Sequence, residues 1–247
     1  MVKIFFIFFS LTILFSQQPY DGMTIYSPTS GNGALVTHLV NNDMTTINSW
    51  NHTNGAASMP YLLKDSTLIY PYRVSNPSMN SGGVGGGISK YSWEGDLLWS
   101  YEFANDIYQH HHDVEPLPNG NILIIVWERK TIAQSIAAGR ESLNNSLNEI
   151  WSEAVLELEP VGLNDVNIVW EWHLWDHLVQ NHDPEKANFG EPVNHPELLN
   201  INIGDQIPDS VSIEDLNKKR ARNNANTNDT PENQGSDLYH INAINYN

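Results

Sequence analysis

The chain has 247 residues, with 12 Lys and Arg, 29 Asp and Glu, 10 His and no Cys, and its formal net charge is −17. This charge repels phosphate backbones and anionic membrane surfaces, so nucleic acid is not an expected partner. The missing cysteines exclude disulfide scaffolds, thiolate zinc sites and cysteine nucleophiles. Hydrophobic residues make up 40% of the chain, which is enough for a packed core and excludes wholesale disorder.

The first 16 residues predict an export signal. Lys3 supplies the positive start, residues 4–15 are almost wholly apolar, and polar residues follow from Ser16. The apolar run is shorter than the roughly 20 residues that a membrane span needs. A buried terminal strand or helix is the alternative. We therefore expect cleavage near Ser16, a mature chain of residues 17–247 in the periplasm or outside the cell, and no membrane insertion after cleavage.

Short strands separated by turns occupy the chain from about residue 25 to residue 130. Runs rich in β-branched and aromatic residues, bounded by Gly, Pro, Asn and Asp, predict strands at 34–40, 46–50, 62–70, 88–91, 97–103, 113–117 and 121–127. The glycine-rich run 82–87 has no GK[ST] and no following helical pattern. We interpret it as a turn or wide loop, not as a phosphate-binding loop.

A weak internal repeat is carried by strands that end in tryptophan. Trp50, Trp99 and Trp170 each close such a strand, and residues 155–158 and 167–170 resemble the start of a third unit. A repeat of about 45 to 65 residues built in this way is typical of β-propeller blades. We therefore predict an all-β fold of the propeller class.

Three segments depart from the strand pattern. Residues 131–140 (TIAQSIAAGR) place apolar residues at helical spacing and predict a short helix with Gly139 as its C-cap. Residues 171–181 predict a second short helix or a loop. The polar residues 210–236 predict a solvated loop.

Three consecutive histidines, His110, His111 and His112, precede Asp113. Side chains alternate along a strand, so we expect His110 and His112 on one face and His111 on the other. A surface cluster is one alternative, and a metal site is another, because imidazole suits Zn, Cu and Ni. The metal partners considered are His173, His177, His182 and His195. The pair at 173 and 177 has i, i+4 spacing but lacks the Glu of HExxH, and we expect no metal.

A second cluster lies at residues 237–246, where a strand would place His240 and Asn242 on the same face. A histidine and an amide side by side can hold an oxyanion or a phenol oxygen. A structural role for both residues is the alternative.

Five motifs, in this order, resemble the bacterial arylsulfotransferase (aryl-sulfate sulfotransferase) family. They are HHDVEPLPNGN at 111–121, IAAGR at 136–140, WEWHLWDH at 170–177, NHPEL at 194–198 and YHINAINY at 239–246. The resemblance implies a six-bladed β-propeller with short helical insertions, of which about the first half is present. It also implies that the chain is a C-terminally truncated member, because the family's Arg and its nucleophilic His come after residue 247.

The implied reaction is transfer of a sulfuryl group from an aryl sulfate ester to a phenolic acceptor through a sulfohistidine, without the nucleotide donor PAPS and without a cofactor. By motif match, His240, Asn242 and His112 are the catalytic residues, and His111 joins them in binding the substrate. The resemblance leaves the oligomeric state open. Two alternatives stay open: a non-catalytic binding or scaffold propeller, and a quinoprotein-like or metal-dependent propeller enzyme.

Overall fold

The computed structural model describes residues 20–28, 35–143, 145, 147–203 and 236–247. The predicted export signal at 1–16 lies outside these residues, and so does the predicted solvated loop at 210–236, apart from Ser236. Within the described ranges the regular structure is almost entirely β-strand, arranged in four sheets, which confirms the all-β class.

Three antiparallel strands form the first sheet. They are β1 (Met23–Tyr26), β2 (Val36–Asn41) and β3 (Thr46–Asn51), in that spatial order. The strands predicted at 34–40 and 46–50 are β2 and β3, so the pattern located both within two residues.

The second sheet is a four-stranded antiparallel meander of β4 (Tyr61–Leu62), β5 (Leu68–Arg73), β6 (Gly86–Tyr91) and β7 (Leu97–Glu102). The single strand predicted at 62–70 is wrong, because a turn divides it. The Asp65 carboxylate accepts hydrogen bonds from the backbone N–H and the hydroxyl of Thr67, at 3.0 and 2.7 Å. Ser66 takes a φ of 66°, so the chain reverses there.

The third sheet is a second four-stranded meander of β8 (Tyr108–Pro116), β9 (Ile122–Thr131), β10 (Glu149–Val161) and β11 (Asp165–His173). Strand β8 begins five residues before the predicted strand 113–117 and contains the histidine triplet. The segments 155–158 and 167–170 resemble the start of a third unit in the sequence, but in the structure they belong to this sheet. The reason is that β10 pairs with β9 along the whole of β9.

A short helix, α1 (Ile132–Ala137), follows β9 where the sequence predicts one. Thr131 and Gln134 form a capping box at its start, and Gly139, with φ of 96°, follows its end. Its expected apolar face is not buried: Ile132 and Ile136 are each 42% exposed. No helix in the described ranges combines the length and the apolar character that a membrane crossing requires.

Beyond β11 the structure is short and irregular. Residues 174–176, within the segment predicted as helix or loop, form one 3-10 turn. A two-stranded parallel sheet follows, made of β12 (Leu178–Val179) and β13 (Leu199–Asn200).

The sheets pack face to face through apolar side chains. The largest cluster joins Ile69, Ile88 and Trp99 of the second sheet to the inner residues of the third. Those inner residues include Val114, Ile122, Ile124, Val126, Ala154, Leu156 and Leu158. A second cluster joins Leu39 and Trp50 of the first sheet to β5. The first sheet therefore packs against the second, and the second against the third.

The tryptophans of the sequence repeat make the same contact at two successive sheet boundaries. The indole N–H of Trp50, in β3, donates to the backbone oxygen of Ser92 at 2.8 Å, beside the turn between β6 and β7. The indole N–H of Trp99, in β7, donates to the backbone oxygen of Asp165 at 2.9 Å, where β11 begins. The last strand of each sheet is thus bonded to the turn before the last strand of the next. Trp170, at the equivalent place in β11, is 50% exposed.

Replacing Trp99 by Phe should lower the free energy of unfolding by about 1–3 kcal/mol, since it removes a buried hydrogen bond and leaves a small void. The matched control is Trp170→Phe, which should change stability by less than about 0.5 kcal/mol because the side chain is half exposed. Urea unfolding followed by fluorescence measures both. Equal effects of the two substitutions would contradict the proposed role of the repeated contact.

Candidate active site at the histidine triplet

The histidine triplet lies where β8 loses its pairing with β9. The register runs to His110 and resumes at Val114. Between them, His112 has a φ of 54°, in the left-handed region that residues other than glycine rarely adopt. This backbone turn ends the alternation of side chains. The expectation that His110 and His112 share one face is therefore wrong: His112 turns to the side of His111.

His110 anchors the triplet. Its side chain is fully buried, and its Nδ1 accepts a hydrogen bond from the backbone N–H of Gly86 at 3.0 Å. Burial lowers the pKa of His110 to about 4, so the ring is neutral near pH 7. The role of this histidine is structural: it fixes the triplet against the start of β6.

The glycine-rich run 82–87 passes close to the triplet. The backbone N–H of His112 donates to the oxygen of Gly83 at 2.8 Å, and Gly83 has a φ of 76°. A Cβ on Gly83 would lie 2.1 Å from Nε2 of His112, and a Cβ on Gly85 would lie 2.7 Å from Nδ1 of His110. The glycines therefore allow backbone and imidazole rings to approach more closely than other residues would permit.

His111 lies in the interior of the third sheet. Its ring stacks on Trp127, with centroids 4.1 Å apart and planes 7° from parallel, and its Nε2 lies 2.9 Å from Oε2 of Glu153. Both side chains are completely buried. Burial lowers the pKa of His111 well below its usual value and raises the pKa of Glu153 to about 9. The pair is thus a hydrogen bond between neutral groups near pH 7.

Two acidic side chains hold the last residues of the chain against the sheet. Oε1 of Glu153 accepts the backbone N–H of Ile241 at 3.3 Å, and Oδ2 of Asp113 accepts that of Ile244 at 3.4 Å. A bridge between Trp151 and Asp237 adds a backbone contact to β10. Residues 236–244 therefore dock across β8 and β10, although the strand predicted at 237–246 does not form.

This docking places His240 beside the triplet. Its Nε2 lies 2.7 Å from Nε2 of His112, and its Nδ1 lies 2.7 Å from Oδ2 of Asp237. A carboxylate on Nδ1 orients an imidazole and stabilises its protonated form. Burial, and next the neighbouring His240, lower the pKa of His112. The two facing nitrogens therefore share one proton in a line that runs Asp237, His240, His112.

The structure brings together three of the four predicted site residues. His111, His112 and His240 have ring centroids 4.8 to 5.5 Å apart. Asn242 is exposed, and it does not share a strand face with His240 because no strand forms there. His173, considered above as a metal partner, bonds instead to Glu128 and Glu171 at 3.1 and 3.3 Å.

Glu153, Trp127 and Asp237 also belong to the site. No sequence motif marks Glu153 or Trp127, and Asp237 is marked only as the first residue of the cluster at 237–246. Glu153 and Asp237 look like ordinary polar residues in the sequence, and only the fold reveals that Glu153 is buried. The glycine-rich run 82–87 is the one sequence signal that points to this site, because glycines cluster where the backbone must approach another group closely.

These features define an all-β protein with a histidine cluster on the face of the third sheet that carries Trp127 and Glu153. The family model described as arylsulfotransferase (ASST) matches residues 63–247, and the chain belongs to this family. The predicted family is thereby confirmed.

No curated protein matches the chain. Among solved structures the chain is similar to a protein of unknown function from Bacteroides caccae, at 14% identity and a TM-score of 0.34. That match covers 58% of this chain and 39% of the other, so it spans less than half of the solved protein.

Gly83→Ala should destabilise the fold and displace His112, because the added Cβ meets the ring and the backbone is left-handed. We expect a loss of about 1–3 kcal/mol, measured by thermal unfolding, with a changed His112 ring signal in NMR. Gly82→Ala is the matched control, because nothing lies within 4 Å of its Cβ. An unchanged ring signal in Gly83→Ala would contradict the described packing.

Glu153→Gln should stay within about 1 kcal/mol of the parent chain, since an amide supplies a donor and an acceptor in place of a neutral carboxyl. Glu153→Leu should cost about 1–3 kcal/mol, since it leaves the His111 nitrogen and the Ile241 N–H without a partner. Chemical unfolding at pH 7 measures both changes. If Gln costs as much as Leu, the carboxyl is ionised and the neutral pair is refuted.

Proposed function

We propose that the protein transfers a sulfuryl group from an aryl sulfate ester to a phenolic acceptor without PAPS. One observation carries the proposal: the line Asp237, His240, His112 lies inside the part of the chain that the arylsulfotransferase model matches. Hydrogen-bond donors backed by a carboxylate suit a group that carries negative charge on its oxygens.

The histidines would bind the sulfuryl oxygens. His112 and His240 share one proton between nitrogens 2.7 Å apart, so an oxygen that enters between them receives an N–H from one ring. A second proton taken up by His240 would be stabilised by Asp237 through Nδ1. His111 would support this face from the interior, and the exposed amide of Asn242 would supply a further donor.

The reaction would run in two steps through a sulfohistidine. A histidine nitrogen attacks sulfur, the bond from sulfur to the aryl oxygen breaks, and the phenolate takes a proton from His240. The acceptor phenol then attacks sulfur, the nitrogen–sulfur bond breaks, and the phenol proton passes to the same base. Covalent catalysis of this kind replaces one difficult step by two easier ones. In this reaction the described residues His112 and His240 would bind the sulfuryl group and stabilise its charge.

We propose for the same reasons that the two meanders are blades of a β-propeller. Their four-stranded order, their face-to-face packing and the repeated tryptophan contact support it. The apolar residues 4–15 after Lys3 support export to the periplasm or beyond. Small aryl sulfates and phenols are the proposed partners.

The activity test uses the protein in the longest form that its gene encodes. Added 4-nitrophenyl sulfate should release 4-nitrophenol in the presence of phenol and without PAPS. His240→Ala should lower kcat/KM by about 100-fold or more, because it removes charge stabilisation in the transition state. His195→Ala is the matched control, since His195 also bonds a carboxylate, at 3.2 Å, but lies on the surface.

Absorbance of nitrophenol measures both variants. Full activity in folded His240→Ala would remove this residue from the site. No nitrophenol release by the folded parent protein would overturn the proposed reaction.

A further inference from the structure

The three clustered histidines have the geometry of a cation site. One ring nitrogen from each of His111, His112 and His240 lies within 4.8 Å of the other two. A second group formed by Glu153, Asp237 and His240 meets the same criterion. His240 belongs to both groups: its Nε2 faces His112, and its Nδ1 faces Asp237.

The donor atoms suit zinc. Zn²⁺ takes imidazole nitrogens at about 2.0–2.1 Å in tetrahedral geometry, which places two ligand nitrogens roughly 3.3 Å apart. The Nε2 atoms of His112 and His240 are 2.7 Å apart and need to separate by only about half an ångström to admit the ion. Since the docked segment 236–244 has no regular strand structure, His240 can make this small movement without breaking a sheet.

The surrounding groups resemble the outer shell of a metal site. Histidine ligands usually bond a carboxylate through the ring nitrogen that does not hold the metal. Nδ1 of His240 lies 2.7 Å from Asp237, and Nε2 of His111 lies 2.9 Å from Glu153. The other nitrogen of His111, Nδ1, is buried without a hydrogen-bond partner among the described residues. A cation would therefore meet rings oriented by hydrogen bonds, with the carboxyl group of Asp237 beside His240.

His111 and His112 are held firmly in place, whereas His240 is accessible to solvent. His111 is fixed by its stacking on Trp127, and the strained backbone at His112 is held by Gly83. The side chain of His240 is 30% exposed, which leaves a path from solvent. A chain with a formal net charge of −17 also attracts cations to its surface.

We propose that His111, His112 and His240 form a Zn²⁺ site, and that the bound ion excludes the sulfuryl donor. The sequence alone predicts no metal, because the metal partners that it suggests for the triplet lie at residues 173–195 and do not include His240. The binding of zinc is inferred from the positions of the ring nitrogens of His111, His112 and His240, whereas the exclusion of the donor rests on the proposed function. The ion would occupy the space between His112 and His240 and withdraw both nitrogens from the sulfuryl oxygens.

Equilibrium dialysis of the metal-free protein against Zn²⁺, followed by elemental analysis, tests the binding. The parent protein should bind one zinc ion per chain. His112→Ala and His240→Ala should lose this ion, and Asp237→Asn should weaken it by about 10- to 100-fold because it alters an outer-shell carboxylate. His195→Ala should bind zinc like the parent. Zinc binding that is unchanged in His112→Ala, or absent from the parent, overturns the inference.

Two further measurements check that each variant is folded and that the bound ion has tetrahedral coordination. Far-UV circular dichroism without metal shows that each variant is folded, and His112→Gln replaces His112→Ala if the latter is not. Co²⁺ in place of Zn²⁺ should give the intense visible absorption of tetrahedral coordination in the parent, and a weak octahedral spectrum would overturn the inference.

Assay of 4-nitrophenyl sulfate turnover separates the two proposals. Zinc should abolish nitrophenol release, and a chelator should restore it. Activity without specific zinc binding overturns the zinc site alone. Zinc binding that depends on His112 in a protein with no sulfotransfer overturns the proposed function and the donor exclusion, and leaves the zinc site supported.

Discussion

One buried carboxyl group connects the two parts of the chain that form the site. Glu153, in β10, bonds His111 of the triplet on one side and the backbone of Ile241 on the other. A charged carboxylate in this interior would be strongly disfavoured, and burial keeps the group neutral near pH 7. The positions of His112 and His240 relative to each other depend on this contact, since the segment that carries His240 forms no strand of its own.

The three histidines of the triplet have three different roles. His110 is packed against glycine backbone, His111 is stacked on an indole ring, and His112 faces His240 at the surface. The left-handed backbone at His112 makes this division possible, because a regular strand would have sent two rings to one face. Backbone strain of this kind tends to persist where a functional arrangement requires it.

The sequence was informative where local patterns decide the structure. Strands β2, β3 and β7 follow from β-branched and aromatic residues bounded by turns, and the capped helix α1 follows from its own composition. Tertiary contacts decided the rest. The left-handed backbone of His112 depends on its contact with Gly83, almost thirty residues earlier in the sequence. The burial of Glu153 depends on how the third sheet packs. Nothing local links His112 to His240, which are 128 residues apart; family resemblance, not pattern, placed both in one site.

The histidine cluster is assembled only when residues 236–244 dock on the third sheet. The meander β8 to β11 forms from strands adjacent in sequence, whereas the bonds to Ile241 and Ile244 span 88 and 131 residues. Contacts of such separation form late and carry a large entropic cost of loop closure. Local opening of this one segment would therefore dismantle the histidine cluster while the sheets stay intact. Amide hydrogen exchange in the segment, rather than global stability, would then report how much of the population has an assembled site.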